Sequence, residues 1–251
     1  MVIAGTADAK KIIAQLKNEG TEVFATVTTN YGQELLEIIE GIEIVRGKLD
    51  SDAMEKFITD RKIDCLVDAS HPFAKEASIN AIEASKKAQV PYLRYERLGL
   101  DLEDTKVIKV KDFQAAAEAC CGFQGNILLT IGSNNISTFA QKVDDYKNRL
   151  FARILPDSRM VAKCEEAGLS AGNIIAIKGP FSIEMNIAML KHCKASVMVT
   201  KESGDTGGMG EKLEAAKQLG IPVIIVERPQ ISYGKMTSSV EEVLDFIKAL
   251  I

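Results

Sequence analysis

Short apolar runs and amphipathic stretches alternate along nearly the whole of this 251-residue chain. Val2-Ile3 leads through Gly5 into a segment whose Ile12, Ile13 and Leu16 recur at helical spacing, and Val23-Phe24-Ala25-Thr26-Val27-Thr28 has the β-branched and aromatic content of a strand. The same reading predicts strands over 42–45, 63–68, 91–95, 107–110, 127–131, 150–155, 174–177, 196–200 and 223–226. Helical patterns fall over 33–40, 50–59, 75–88, 113–119, 158–167, 182–190, 211–218 and 239–250, with another starting at Ile136. Strands joined by helices run parallel, because each parallel pair needs a crossover, and the crossovers cover both faces of the sheet. The periodicity breaks over 98–104, where Gly99 and alternating Leu and acidic residues complete no element. The expected architecture is therefore α/β: two Rossmann-like domains, 1–98 and 99–251, with mainly parallel sheets flanked by helices.

Composition narrows the function. Apolar residues make up 46% of the chain and charged residues 26%, as in a soluble globular protein with a substantial core. The net charge is −4 and the pI about 5.4, with Lys and Arg dispersed, so no basic stripe is offered to nucleic acid. The apolar runs are strand-sized and no basic segment followed by an apolar stretch opens the sequence, so neither a membrane span nor a signal peptide is expected and a cytoplasmic location is. The five cysteines show no C-x-x-C spacing, and no His or Cys cluster has metal-ligand spacing, so reduced thiols and no metal are expected. Oligomeric state is left open.

The densest polar chemistry follows the apolar run Val197-Met198-Val199-Thr200: Lys201-Glu202-Ser203-Gly204-Asp205-Thr206-Gly207-Gly208 leads into the helical pattern over 211–218. In open parallel sheets ligands sit beyond the carboxyl ends of strands, where glycines admit the backbone and helix starts favour anions. A plain turn would not need this variety of polar groups. Several familiar enzymes are excluded: no tyrosine starts a Tyr-x-x-x-Lys pair and no Walker loop is present. Gly168-Leu169-Ser170-Ala171-Gly172 spells Gly-x-Ser-x-Gly, but joins a predicted helix to a strand, whereas a nucleophile elbow turns from strand to helix. A methyltransferase fits poorly, because no acidic residue closes the second strand. A two-domain small-molecule binding protein without redox chemistry stays open, and would show no affinity for a reduced nicotinamide.

Six strand-end sequences, in order, resemble the precorrin-6A reductase family of cobalamin biosynthesis: Asp68-Ala69-Ser70-His71-Pro72-Phe73-Ala74, Pro91-Tyr92-Leu93-Arg94-Tyr95-Glu96-Arg97, Thr130-Ile131-Gly132, Ala152-Arg153-Ile154-Leu155-Pro156, Gly179-Pro180-Phe181-Ser182 and Val199-Thr200-Lys201-Glu202-Ser203-Gly204. The family opens with Gly-Gly-Thr and, two residues on, Glu; here Ala4 and Asp8 occupy the first and last of those places. The resemblance implies an oxidoreductase that reduces one double bond of (cobalt-)precorrin-6A to give (cobalt-)precorrin-6B, with NADPH or NADH. It implies a nucleotide-binding domain over 1–98 and a second domain over 99–251 that completes the substrate cleft. Gly5 and Thr6 at the first helix start suit a pyrophosphate, and Thr28, Thr29 and Tyr31 after the second strand suit either nucleotide, with Ser70 beside them. The polycarboxylate macrocycle calls for cations at strand ends, which Arg94, Arg97, Arg153, Lys178 and Arg228 supply, with Ser203 and Asp205 alongside. His71 and Lys201 are the candidate proton donors.

Overall fold

The computed structural model describes residues 1–99, 106–204 and 207–250. The chain forms two compact units, Met1–Leu98 with Gln230–Ile251, and Gly99–Pro229. The first runs β1 (Val2–Ile3), α1 (Ala7–Asn18), β2 (Phe24–Val27), α2 (Asn30–Leu36), β3 (Glu43–Arg46), α3 (Ser51–Asp60), β4 (Leu66–Asp68), α4 (Lys75–Ala88) and β5 (Tyr92–Tyr95). The second runs β6 (Val107–Val110), α5 (Phe113–Cys120), β7 (Asn126–Leu129), α6 (Ile136–Ala140), α7 (Tyr146–Arg149), β8 (Leu150–Ile154), α8 (Ser158–Glu166), β9 (Ile174–Ala176), α9 (Ile183–His192), β10 (Ala195–Lys201), α10 (Met209–Gln218) and β11 (Val223–Val226). The chain then returns to the first unit with β12 (Met236–Thr237) and α11 (Val240–Lys248).

Among the described residues each unit carries a six-stranded sheet, ordered β12-β5-β4-β1-β2-β3 in the first and β6-β11-β10-β7-β8-β9 in the second. Every strand pair is parallel, as the alternation requires. Successive residues of a strand face opposite sides, and the two cores of the first unit follow that alternation. Val2, Ala25, Val27 and Val67 pack with Ile12, Ile13 and Leu16 of α1 and with Val243 and Ile247 of α11. Ile3, Phe24 and Leu66 pack on the other face with Met54 and Ile58 of α3 and Ala81 and Ala84 of α4. In the second unit Leu128, Met198, Val223 and Ile225 face Met189 and Leu190 of α9 and Leu213 and Ala216 of α10.

The C-terminal segment corrects the expected domain composition. Residues 230–250, expected in the second domain, fold with the first. β12 pairs with β5 in the register Met236↔Arg94 and Thr237↔Tyr95, and the Arg94 and Glu96 amides donate to the Lys235 and Thr237 carbonyls. Val243 and Ile247 are buried against the α1 stripe, worth roughly 1.5–3 kcal/mol each. The two sheets have the same order of positions, and in both the sixth strand comes from outside the regular series: β6 precedes the other five strands of its unit and β12 follows the whole other unit. A two-residue strand has no periodicity to read. The boundary region 100–105 lies outside the described residues.

Candidate functional site

In each sheet the winding reverses once: β1 lies between β2 and β4, and β7 between β8 and β10. Loops leaving the two central strands diverge there and open a crevice beyond their carboxyl ends. In the first unit Gly5 forms its floor, with φ +111° and no atom within 4 Å of where a Cβ would stand, so the backbone is open to a ligand. Thr6 caps α1: its Oγ1 accepts from the Ala9 amide at 3.0 Å and donates to the Ala69 carbonyl at 3.0 Å, tying the β1 and β4 loops together. That hydroxyl is committed, so a diphosphate would meet the Gly5 backbone and the first amides of α1 instead. Thr29 caps α2 in the same way through the Gly32 amide, and a Cβ on Gly32 would stand 3.3 Å from Gly5 Cα. Thr28 is exposed at the end of β2 and Tyr31 half-buried beyond it. Arg46, exposed at the end of β3, lies in register with Val27. Asp8, in the first turn of α1, would oppose a phosphate alone, but Arg97 Nε is 3.1 Å from its Oδ2. Arg97, expected on substrate, therefore belongs to this turn. The open glycine, the helix start and the cation at the end of β3 fit a dinucleotide.

Arg94, also expected on substrate, is instead a structural ion pair. Its side chain is 0% exposed, Nη1 donates to Asp68 Oδ1 at 2.8 Å and Ser70 Oγ at 3.1 Å, and Nη2 lies 2.6 Å from Glu96 Oε2. The Tyr233 ring from the returning segment covers it at 5.0 Å, and the Tyr92 hydroxyl donates to Asp68 Oδ2 at 2.9 Å. Burial alone would depress the Arg94 pKa, but Asp68 and Glu96 more than offset it and the pKa is raised. The network sets the β4 loop. Ser70, whose hydroxyl accepts from Arg94, is 5% exposed, and its amide donates to Asp68 Oδ1 at 3.0 Å. His71 Nδ1 accepts from the Phe73 amide at 3.1 Å, which places the hydrogen of the neutral ring on Nε2.

The second unit holds a different kind of buried cation. Arg153 of β8 is 7% exposed, yet its partners are neutral: Nη1 donates to Asn186 Oδ1 at 2.7 Å and lies 3.4 Å from Met189 Sδ, and the Phe181 ring centroid is 4.5 Å from Cζ. Lys212 of α10, also 7% exposed, donates to the Gly207 carbonyl at 2.8 Å. Arg153 and Lys201, at the end of β10, both repel Lys212. Burial lowers Arg153 to about 10 and Lys201 to about 8. It lowers Lys212 to about 7, helped by Arg153 and Lys201 and opposed by Glu211. The buried hydroxyls of Thr200 and Ser203 have no hydrogen-bond partner among the described residues. A Cβ on Gly207 would fall 2.1 Å from Ser203 Oγ, so only glycine leaves room for that hydroxyl. Buried cations whose hydrogen-bond partners are neutral, as for Arg153 and Lys212, and buried hydroxyls without a partner cost stability, and an incoming carboxylate would relieve both.

The remaining predicted residues divide. Lys178 is exposed just beyond the edge strand β9. Arg228 stitches two loops of its own unit, its Nε donating to the Glu202 carbonyl at 3.1 Å and its amide to Glu202 Oε2 at 3.3 Å. Asp205 lies outside the described residues. The sequence reading passed over Lys212, Asn186 and Phe181. Lys212 carried a signal, since it occupies the buried stripe Met209, Lys212, Leu213 and Ala216, where a helix normally places apolar residues.

Among the described residues no group of three or more His, Cys, Asp or Glu could hold a metal ion, and no helix is long and apolar enough to cross a membrane. A cavity of about 210 Å³ lined by Val23, Arg61, Asp64 and Cys65 lies at the strand starts of the first sheet, the end opposite the crevice. The family profile described as precorrin-6x reductase CbiJ/CobK matches residues 1–248. The cobalt-precorrin-6A reductase of Priestia megaterium is 41% identical, over 97% of this chain and 96% of that one. The enzyme of the same name from Methanothermobacter thermautotrophicus is 37% identical, over 99% and 84%. The solved structure titled CobK precorrin-6A reductase shares the fold at a TM-score of 0.80 and 21% identity, over 99% of this chain and 95% of that chain. The chain therefore belongs to the precorrin-6x reductase family, oxidoreductases of cobalamin biosynthesis that saturate a ring double bond with a nicotinamide reductant.

Proposed function

We propose that this chain reduces one ring double bond of cobalt-precorrin-6A to give cobalt-precorrin-6B, taking NADPH on the first unit and the carboxylates of the macrocycle on the second. The observation that carries the reading is the pair of buried cations Arg153 and Lys212, held by neutral partners, together with the unpartnered Thr200 and Ser203 hydroxyls of the same unit, groups that an anion would complete. The cobalt-bearing substrate follows the names of the relatives at 41% and 37% identity. NADPH is favoured over NADH by Arg46 in register with Val27 and by the absence of an acidic side chain after β2 at Thr28 and Thr29.

The nucleotide supplies the hydride. Gly5 and the α1 start hold its diphosphate, and Arg46 its ribose phosphate. Saturating the double bond also takes one proton. Lys201, brought to about 8 by burial, can hold that proton near neutral pH and release it, and His71 presents a hydrogen on Nε2 from the β4 loop. The test is a single turnover of the purified protein with cobalt-precorrin-6A and NADPH, following nicotinamide oxidation, with NADH in parallel. Oxidation dependent on the macrocycle and faster with NADPH is expected. Saturable binding of the macrocycle without oxidation of either nucleotide would leave a binding protein and sink the proposal.

A further inference from the structure

Two buried arginines differ in what faces them. Arg94 meets two carboxylates, whereas Arg153 meets the amide of Asn186, a thioether and an aromatic ring. Asn186 is 2% exposed on α9, and every one of its polar atoms is used. Its Nδ2 donates to the Ser182 carbonyl at 2.8 Å and the Phe181 carbonyl at 3.4 Å. Carbonyls accept only, so the amide can stand in one orientation, with Oδ1 toward Arg153 Nη1. The same two contacts anchor the Gly179-Pro180-Phe181-Ser182 loop, which lays the Phe181 ring over the guanidinium.

We propose that Asn186 is a positioning residue for substrate: it aims the Arg153 guanidinium through a neutral acceptor, so that the side chain is fixed without having its charge cancelled. An aspartate would have nearly the same shape and would bind the guanidinium more strongly, but would leave it no net charge to offer an incoming carboxylate. This rests on the proposal that the Arg153 and Lys212 cluster receives carboxylates of the macrocycle.

The experiment compares Asn186→Asp, Asn186→Ala and Arg153→Gln in the full-length protein. Cobalt-precorrin-6A is titrated by its absorbance change and NADPH by its fluorescence, and each variant's melting temperature is recorded. The expected loss of macrocycle affinity is largest for Asn186→Asp, at least tenfold, and smaller for Asn186→Ala, which keeps the free charge. NADPH affinity should be unchanged in both. A residue that only holds the fold gives the opposite order: the aspartate, which still binds Arg153, would be milder than the alanine, and affinity would track melting temperature. That order overturns the positioning role. If Arg153→Gln leaves macrocycle affinity unchanged, it is the anion-site reading that fails.

Discussion

Replacing Lys212 with Met should stabilise the empty protein and weaken it as a substrate binder. The ammonium is 7% exposed, has one carbonyl acceptor at 2.8 Å, and stands in the field of Arg153 and Lys201. Methionine has similar length and volume and suits the apolar stripe around Met209 and Leu213. Replacing buried charge with a well-packed apolar side chain is neutral or favourable by about 1–4 kcal/mol, and the repulsive surroundings place this site at about 1–3 kcal/mol. That is roughly 3–10 °C in the transition to which the second unit contributes. Losing a buried, hydrogen-bonded partner of a carboxylate costs about 2–5 kcal/mol, and since Arg153 and Lys201 remain the lower figure applies, about 30-fold in macrocycle affinity. The sign of the pH dependence follows. The folded pKa of about 7 lies below the ordinary 10.5, so between those values the unfolded chain holds a proton that the native state lacks. The stability of the empty wild type therefore rises with pH across that window, and Lys212→Met should flatten the rise. A bound carboxylate restores the ammonium, so macrocycle affinity should fall by up to tenfold per pH unit above about 7. Differential scanning calorimetry and macrocycle titrations over this range read both effects. A lower melting temperature together with affinity within about twofold of wild type would refute the reasoning that Lys212 awaits an anion.

Three further outcomes are expected. Arg94→Leu should destabilise the first unit by about 3–5 kcal/mol, because Asp68 and Glu96 would keep buried charges without their partner; urea unfolding measures it, and a change under 1 kcal/mol would contradict the ion-pair assignment. Gly5→Val puts a branched side chain at φ +111°, where it is strained by about 1–3 kcal/mol and fills the crevice; NADPH affinity measured by fluorescence should drop more than about tenfold while macrocycle affinity holds. Arg46→Ala should weaken NADPH binding about tenfold and leave NADH binding unchanged, and equal loss of both nucleotides would remove Arg46 as the reader of the ribose phosphate.

Arg94 and Arg153 show where the sequence is legible and where it stops. The strand–helix alternation is local: Val2 and Ile3, or Phe24 and Ala25, declare by spacing alone that a strand has two buried faces, and parallel pairing follows from the helices between strands. Positions at and beyond strand ends are legible for the same reason, which is why Gly5, Ser70, His71 and Ser203 fall on loops that follow strands and Lys201 closes one. Charge state is not local. Leu93-Arg94-Tyr95 and Ala152-Arg153-Ile154 read alike, each an arginine late in an apolar strand. Arg94 is cancelled by Asp68, 26 residues earlier on the neighbouring strand, and by Glu96, while Arg153 is held by Asn186, 33 residues later on a helix. The partner decides whether a buried guanidinium is structure or site, and that partner is set by sheet order and helix packing. β12 has the same origin: Met236-Thr237 becomes a strand only because the β5 edge, where Arg94 and Glu96 still need carbonyls, is there to receive it. A buried charge with a neutral partner is thus the tertiary feature on which the proposed anion site rests, and in this chain Arg153 and Lys212 carry it while Arg94 does not.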